Sequence, residues 1–345
     1  MSNALGNIAI WGSYGHGNFG DDLMADIFAR HLRRRGRVPV VISSNSGLGD
    51  EIDAEALPSL ATWTRGPIVI GGGAMLSTTS VVRTLASPAS RVVEKEFRDL
   101  NRCLKSGRSA VVPISIGSDG VERPRIWGSR RAFFAGPLPA YGTVRLRSDV
   151  ELMQRVFGKR YRHYPDVLFA TRRFYDIGAV REDGFVVGVS LNARHALPVV
   201  EAIQARFGKE VKVVPLITHS SHFESPYEWG VGTQAAVRYE GLQAFIRTLS
   251  SMSVVVTDKL HVGLVAAVCG VPFVSFGGRG KTVSQHRELG IEGALAPSPD
   301  AVVQILSSIL DGNSRPTMAD VVDREELDER ALGHLDALDE WLSER

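Results

Sequence analysis

A lysine and a histidine two residues apart, Lys259 and His261, stand where a strongly apolar stretch changes character. Before them runs Val254-Val255-Val256-Thr257; after them comes Val262-Gly263-Leu264-Val265-Ala266-Ala267-Val268, closed by Gly270. The β-branched run reads as a buried strand and the Ala-rich segment as a helix stopped by glycine. In open α/β sheets ligands bind outside the carboxyl ends of the strands, so this turn faces a site. A Lys there suits an anionic ligand, and an imidazole, with an ordinary pKa of about 6.5, suits proton transfer. The competing reading of His261 is a core histidine that caps its own helix.

Other strand ends carry related chemistry. Ile8-Ala9-Ile10-Trp11 enters a glycine-rich turn, Gly12 to Asp22, ahead of a helix with Leu23, Ile27, Phe28 and Leu32 at helical spacing. Backbone N–H groups in such a turn approach a phosphate or sugar closely; the alternative is glycine used for turn geometry alone. The spacing is neither a dinucleotide fingerprint nor a P-loop. Pro67-Ile68-Val69-Ile70 runs into Gly71-Gly72-Gly73, which implies close ligand approach or a tight turn. Tyr141–Leu146 leads to Arg147, whose guanidinium forks onto carboxylate or phosphate unless it is an ordinary surface ion pair. Asn192-Ala193-Arg194 and Gly277-Gly278-Arg279-Gly280-Lys281 end two further strands, the second offering an anion site. His219, His222 and Glu224 invite a metal, but the rest of a zinc signature is missing, so no metal is expected. No Gly-x-Ser-x-Gly elbow is present.

These turns need strands and helices in alternation, and the chain supplies two series of them. With 345 residues it has room for two domains. We expect an α/β protein of two doubly wound Rossmann-like domains facing across a cleft: residues 1–175, then 176–316, then a helical tail over 317–345. In the tail, Leu327, Leu332, Leu335, Leu338 and Trp341 form an apolar stripe. Helices are expected over Arg91–Lys105, Leu197–Phe207 and Gln234–Leu249, and Asp119–Pro139 reads as an irregular loop. Forty basic against thirty-eight acidic residues give no general case for nucleic acid or membrane binding. Two cysteines, no signal-like start and no long apolar run point to a cytoplasmic protein without a transmembrane segment. A homo-oligomer is left open.

Several of these stretches, taken in order, resemble the polysaccharide pyruvyl transferase family. They are Gly17-Asn18-Phe19-Gly20-Asp21, the strand followed by Gly71-Gly72-Gly73, the strand–Arg147–helix element and Tyr164-Pro165-Asp166. Lys259-Leu260-His261 follows, with Lys where the family usually has Arg, and then Lys281 before Glu288-Leu289-Gly290-Ile291. The resemblance implies a GT-B-like architecture and transfer of a pyruvyl group from phosphoenolpyruvate to two hydroxyls of a sugar or polysaccharide acceptor. The products are a cyclic ketal and phosphate, and no cofactor is needed. It further implies His261 as general acid/base, with Lys259, Arg147, Lys281, Asp166, Arg194, Gly17, Asn18, Gly20, Asp21, Gly72 and Gly73 on the substrates. A glycosyltransferase using a nucleotide sugar, or a non-catalytic sugar-binding relative, would have the same two domains.

Overall fold

The computed structural model describes the chain apart from residues 1–5, 65, 79, 81, 83–86, 108, 121–123, 138–139, 179–182, 220–234, 279 and 313–323. It forms two compact units: residues 1–15, 21–167 and 330–345 in the first, 16–20 and 168–329 in the second.

The first unit is built on a parallel sheet in which β1 (Asn7–Trp11), β2 (Val38–Ile42), β3 (Glu55–Leu57), β4 (Ile68–Gly71) and β5 (Val111–Ile114) take the order β3-β2-β1-β4-β5. Ile8, Ile10, Val40, Val41, Ile68, Val69, Ile70 and Val112 are buried, as strands covered on both faces require. A short pair, β6 (Thr143–Val144) and β7 (Arg162–His163), lies beyond. Trp11 meets Phe97 of the helix Pro88–Lys105 edge to face at 5.0 Å, and Phe97 reaches Phe133 at 5.7 Å. Phe133 belongs to a helix, Gly128–Ala135, inside the stretch expected to be an irregular loop.

The second unit repeats the plan. Its strands are β8 (Phe185–Ser190), β9 (Val211–Ile217), β10 (Val237–Arg238), β11 (Val254–Thr257), β12 (Phe273–Phe276) and β13 (Leu295–Ala296), in the parallel order β10-β9-β8-β11-β12-β13. The helix expected over Gln234–Leu249 is instead β10 followed by a helix at Leu242–Ser251; Gln234 itself lies outside the described residues. In each sheet the strand order reverses beside the first strand, between β1 and β4 and between β8 and β11. Such reversals open the crevice where doubly wound sheets take ligands.

The domain limits differ from the sequence reading in three places. The first unit ends at Val167, before 175, because the turn after it is held within the second unit by an Arg173–Asp328 ion pair at 2.7 Å. The tail is not separate: residues 330–345, which take in most of the helix Arg324–Ser343, complete the first unit. There His334 Nδ1 sits 2.7 Å from Thr143 Oγ1, Arg162 forks onto Glu340 at 2.6 and 3.0 Å, and Asp339 meets His31 at 2.9 Å. Third, residues 16–20 group with the second unit, because Phe19 is fully buried there, 4.8 Å from the ring of Phe245 and 5.5 Å from that of Tyr239.

Burial pushes the His334 imidazole down to about 3, so between pH of about 6.5 and 3 the unfolded chain holds a proton that the folded chain lacks. Stability therefore rises with pH through that window, by at most about 1.4 kcal/mol per pH unit, and is lost as pH falls. Burial lowers His286 as well, with the same sign. Urea unfolding between pH 4 and 7 should show a slope that His334→Gln flattens; an unchanged slope would show that His334 does not supply it.

Candidate functional site

Parallel pairing sets the height of everything beyond β8 and β11. Thr257 lies in register with Ser190, so Asp258, one residue on, and Asn192, two residues on, emerge close together where the strand order reverses. Asp258 is only 7 % exposed, and the hydrogen bonds to its carboxylate converge on one oxygen, Oδ2. Asn192 donates to its Oδ2 from both the side-chain amide and, at 3.2 Å, the backbone N–H. Lys259 Nζ lies 3.4 Å from Oδ1, and His195 Nδ1 lies 3.6 Å from Oδ2 with its ring edge-on to Phe276. Below them Ser190 and Thr218 pair through their hydroxyls at 3.1 Å.

Lys259 caps the helix Leu260–Val268, and its backbone N–H donates to Thr257 Oγ1 at 3.0 Å. All nine residues of that helix are buried, so its amino end is fixed by packing on every side. An amino end carries partial positive charge, and the Lys259 ammonium adds to it at the same place. His261, in the first turn, is 7 % exposed.

The glycine turn reaches this histidine. The N–H of Phe19 donates to the Thr218 carbonyl at 3.1 Å, and Asn18 bridges His219 in antiparallel fashion. The Gly20 N–H donates to Asn18 Oδ1 at 3.3 Å. A β-carbon at Gly20 would collide with Cβ and Nδ1 of His261. Only glycine lets the backbone lie on this imidazole, so Gly20 sits against His261, and Gly17 and Asn18 belong to the same structural unit. Arg194, exposed in the first turn of the helix Ala193–Phe207, and Lys281, half-buried in the first turn of the helix Gly280–Glu288, follow β8 and β12 on either side of β11. Among the described residues no cluster of three His, Cys, Asp or Glu could hold a metal; His222 and Glu224 lie outside them. A cavity of about 370 Å³ in the same unit sits at the other end of the Leu260–Val268 helix, against Cys269, and holds none of these residues.

The remaining expected residues lie in the first unit. Arg147 is exposed at the start of the helix Arg147–Phe157. The buried arginine is its neighbour Arg145, 1 % exposed, which pairs with Asp166 at 2.9 Å. Asp166 is wholly buried, and this corrects its expected role: it positions Arg145 and presents no surface to a substrate. Gly72 is covered by Met24, and β-carbons at Gly12 and Gly71 would strike Tyr14, whose hydroxyl donates to the Gly71 carbonyl. Packing accounts for these glycines, while Gly73 has open space beside it. Asp21 and Asp22 lie close to Tyr14, and burial, with their charge, keeps its phenol well above the usual range. Sequence reasoning missed Tyr14, His195 and the holding role of Asp258. Asn192 and His195, placed about a strand end and the helix start that follows, were the available signal for the last two.

Residues 200–279 match the family model of the polysaccharide pyruvyl transferases. The span takes in β9 to β12 and with them Asp258, Lys259 and His261. It supports a transferase acting on polysaccharide. No curated protein sequence matches the chain. Among solved structures, UDP-GlcNAc 2-epimerase from Neisseria meningitidis bound to UDP-GlcNAc is similar with a TM-score of 0.63 at 8% identity, covering 96% of this chain and 99% of that one. Anabaena HepE in complex with UDP-glucose gives 0.62 at 11% identity, over 99% and 100%. A glycosyltransferase from Rickettsia africae gives 0.57 at 10%, over 99% and 98%. The likeness is one of fold, the GT-B architecture that glycosyltransferases and epimerases share, as the sequence reading expected.

Two substitutions test this geometry. Gly20→Ala should cost about 1–3 kcal/mol of stability by overpacking and shift the His261 ring resonances; a normal spectrum would mean the backbone does not lie on the ring. Asp166→Ala, which strands Arg145 without its partner, should destabilise the first unit by about 3–5 kcal/mol in urea unfolding.

Proposed function

We propose that the protein transfers a pyruvyl group from phosphoenolpyruvate to two hydroxyls of a sugar in a polysaccharide or glycan precursor, forming a cyclic ketal and releasing phosphate. The observation that carries this reading is the contact of Gly20 with His261. It joins the glycine turn to the Lys-Leu-His segment, and the second of these lies inside the family match.

The reaction needs a proton delivered to the methylene carbon of the donor, which becomes the methyl group. C2 is left cation-like and is attacked by one sugar hydroxyl. The bond from C2 to the phosphate oxygen then breaks, and the second hydroxyl closes the ring. One proton is taken up at carbon, two leave the hydroxyls, and the balance departs with phosphate. We assign the proton transfers to His261, through Nε2, since its Nδ1 edge lies against Gly20. Lys259, at a helix amino end, holds the donor's phosphate or carboxylate, with Lys281 and Arg194 from the flanking strands as further cations. Asp258 holds Lys259 in place, and Asn192 and His195 hold Asp258. Arg147, Asp21, Gly17, Asn18 and Gly73 remain proposed substrate contacts. The proposed compartment is the cytoplasm, which supplies phosphoenolpyruvate; among the described residues no helix is long and apolar enough to cross a membrane.

A second reading, transfer of a sugar from a nucleotide sugar, draws on the GT-B neighbours solved with UDP-glucose and UDP-GlcNAc. Thermal unfolding separates the two, because a ligand that binds only the folded state raises the melting temperature by mass action. Phosphoenolpyruvate at a hundred times its Kd should add about 2.7 kcal/mol, and a panel of nucleotide sugars nothing. The reverse outcome would establish the second reading. With an acceptor in hand, His261→Ala should lower phosphate release by about 10²-fold or more while phosphoenolpyruvate still raises the melting temperature. Near-normal turnover would remove His261 from the mechanism.

A further inference from the structure

The near-balance of charge over the whole chain conceals a local excess. Residues 91–137 carry ten Lys and Arg against five Asp and Glu, where the entire chain has an excess of only two. The helix Pro88–Lys105 concentrates it further. Among the residues of this helix whose burial is described, the exposed ones are Arg91, Val92, Lys95, Arg98, Arg102 and Lys105. The five cations fall at alternating steps of four and three, which puts them on one face in a stripe about 21 Å long.

The acids of the same helix are all engaged by the fold, Glu96 and Asp99 buried and Glu94 half-buried. Glu94 accepts from the Ser129 N–H, and Glu96 accepts from the Leu60 N–H at 3.0 Å. Asp99 lies beneath the stripe, its side chain 6 % exposed, and ties down Lys95 at 2.8 Å and Arg102 at 2.7 Å while those two remain 55 % and 71 % exposed. The surface is therefore of one sign by construction. The adjoining helix, Gly128–Ala135, adds exposed Arg131 and carries no acid. Beside the cations stands Val92, 55 % exposed, with Val82, 77 % exposed, ten residues earlier in the chain; they are two of the four large apolar side chains exposed among the described residues.

We propose that this helix face docks the protein onto an anionic phospholipid surface. A straight stripe of cations fits the uniform negative potential of a bilayer. Long basic side chains reach the headgroups while a valine at the edge of their stripe enters the acyl boundary. A dissolved polyanion would satisfy the cations but gain nothing from the exposed valine, and this favours the membrane. The inference uses residues remote in sequence from Lys259 and His261 and does not rest on the pyruvyl-transfer reading.

Co-sedimentation of the full chain with vesicles tests it. Vesicles of phosphatidylcholine with about one-third phosphatidylglycerol should bind the protein at low salt and release it at high salt, while phosphatidylcholine alone should not bind it. The triple variant Arg91→Gln/Arg98→Gln/Lys105→Gln leaves the Asp99 pairs intact and should melt like the wild type. Its partition onto the anionic vesicles should fall on the order of a hundredfold, about fivefold for each cation removed. Val92→Ser should lower partition severalfold with the charge unchanged. Equal binding to both vesicle types, or a triple variant that binds like the wild type, overturns the proposal. So does tighter binding to DNA or to a soluble acidic polysaccharide than to the vesicles.

Discussion

One carboxylate governs the arrangement of the second unit. Asp258 emerges from β11 at the place where the strand order reverses, almost out of reach of water, and a charge there is tolerated only if its neighbours meet it with donors. Asn192 does so from the end of β8, while Lys259 at the next position and His195 in the helix beyond stand at ion-pair distance, 3.4 and 3.6 Å. Two helices consequently start at fixed positions about the same group, those over Ala193–Phe207 and Leu260–Val268. The orientation of Lys259 and the height of His261 follow from that. Gly20 then lies on His261 because no side chain intervenes.

The strands were the most legible part of the sequence. Val254–Thr257, Phe185–Ser190 and Ile68–Gly71 are runs of β-branched residues with glycine or polar punctuation, and buried parallel strands need little else. The turns at their ends were legible for the same reason, since glycine, lysine and histidine stand out after an apolar run. Long-range choices were hidden. Phe19 looks like any helical apolar residue, and nothing local says that it packs on Phe245 and Tyr239, more than two hundred residues away. Arg145 directly follows the two-residue strand β6 and is buried, whereas Arg147 opens the helix Arg147–Phe157 and is exposed. Two residues apart, they would share a face of a strand, so it is the turn into the helix that separates them, and a strand this short gives no warning of that turn. Tyr14 was masked by the glycines it requires. β10 is likewise two residues long and was swallowed by a helical pattern that begins only at Leu242.

Charge needs a similar distinction between total and placement. The helix Pro88–Lys105 has three acids and five bases, and a sequence count sees a mixed, solvated helix. The hydrogen bonds of Glu94 and Glu96 and the ion pairs of Asp99 remove the acids from the surface and leave the bases on it. Fold is equally silent about chemistry at its own level. The GT-B plan is shared by epimerases and glycosyltransferases at about one-tenth identity, so what distinguishes this chain lies in the few side chains at its strand ends.

The placement of residues 330–345 in the first unit bears on how the protein is made. His334 is fully buried and belongs with Thr143 and Tyr164, yet it is translated only after residues 168–329 of the second unit. The first unit is therefore unfinished for as long as the second is being synthesised. A nascent chain that has released residues 1–167 exposes the surface that residues 330–345 will cover. Residues 16–20, also in hand by then, wait for a partner not yet translated. Neither half can complete its folding on a contiguous stretch of chain, so cutting between 167 and 168 would yield two incomplete fragments rather than two domains.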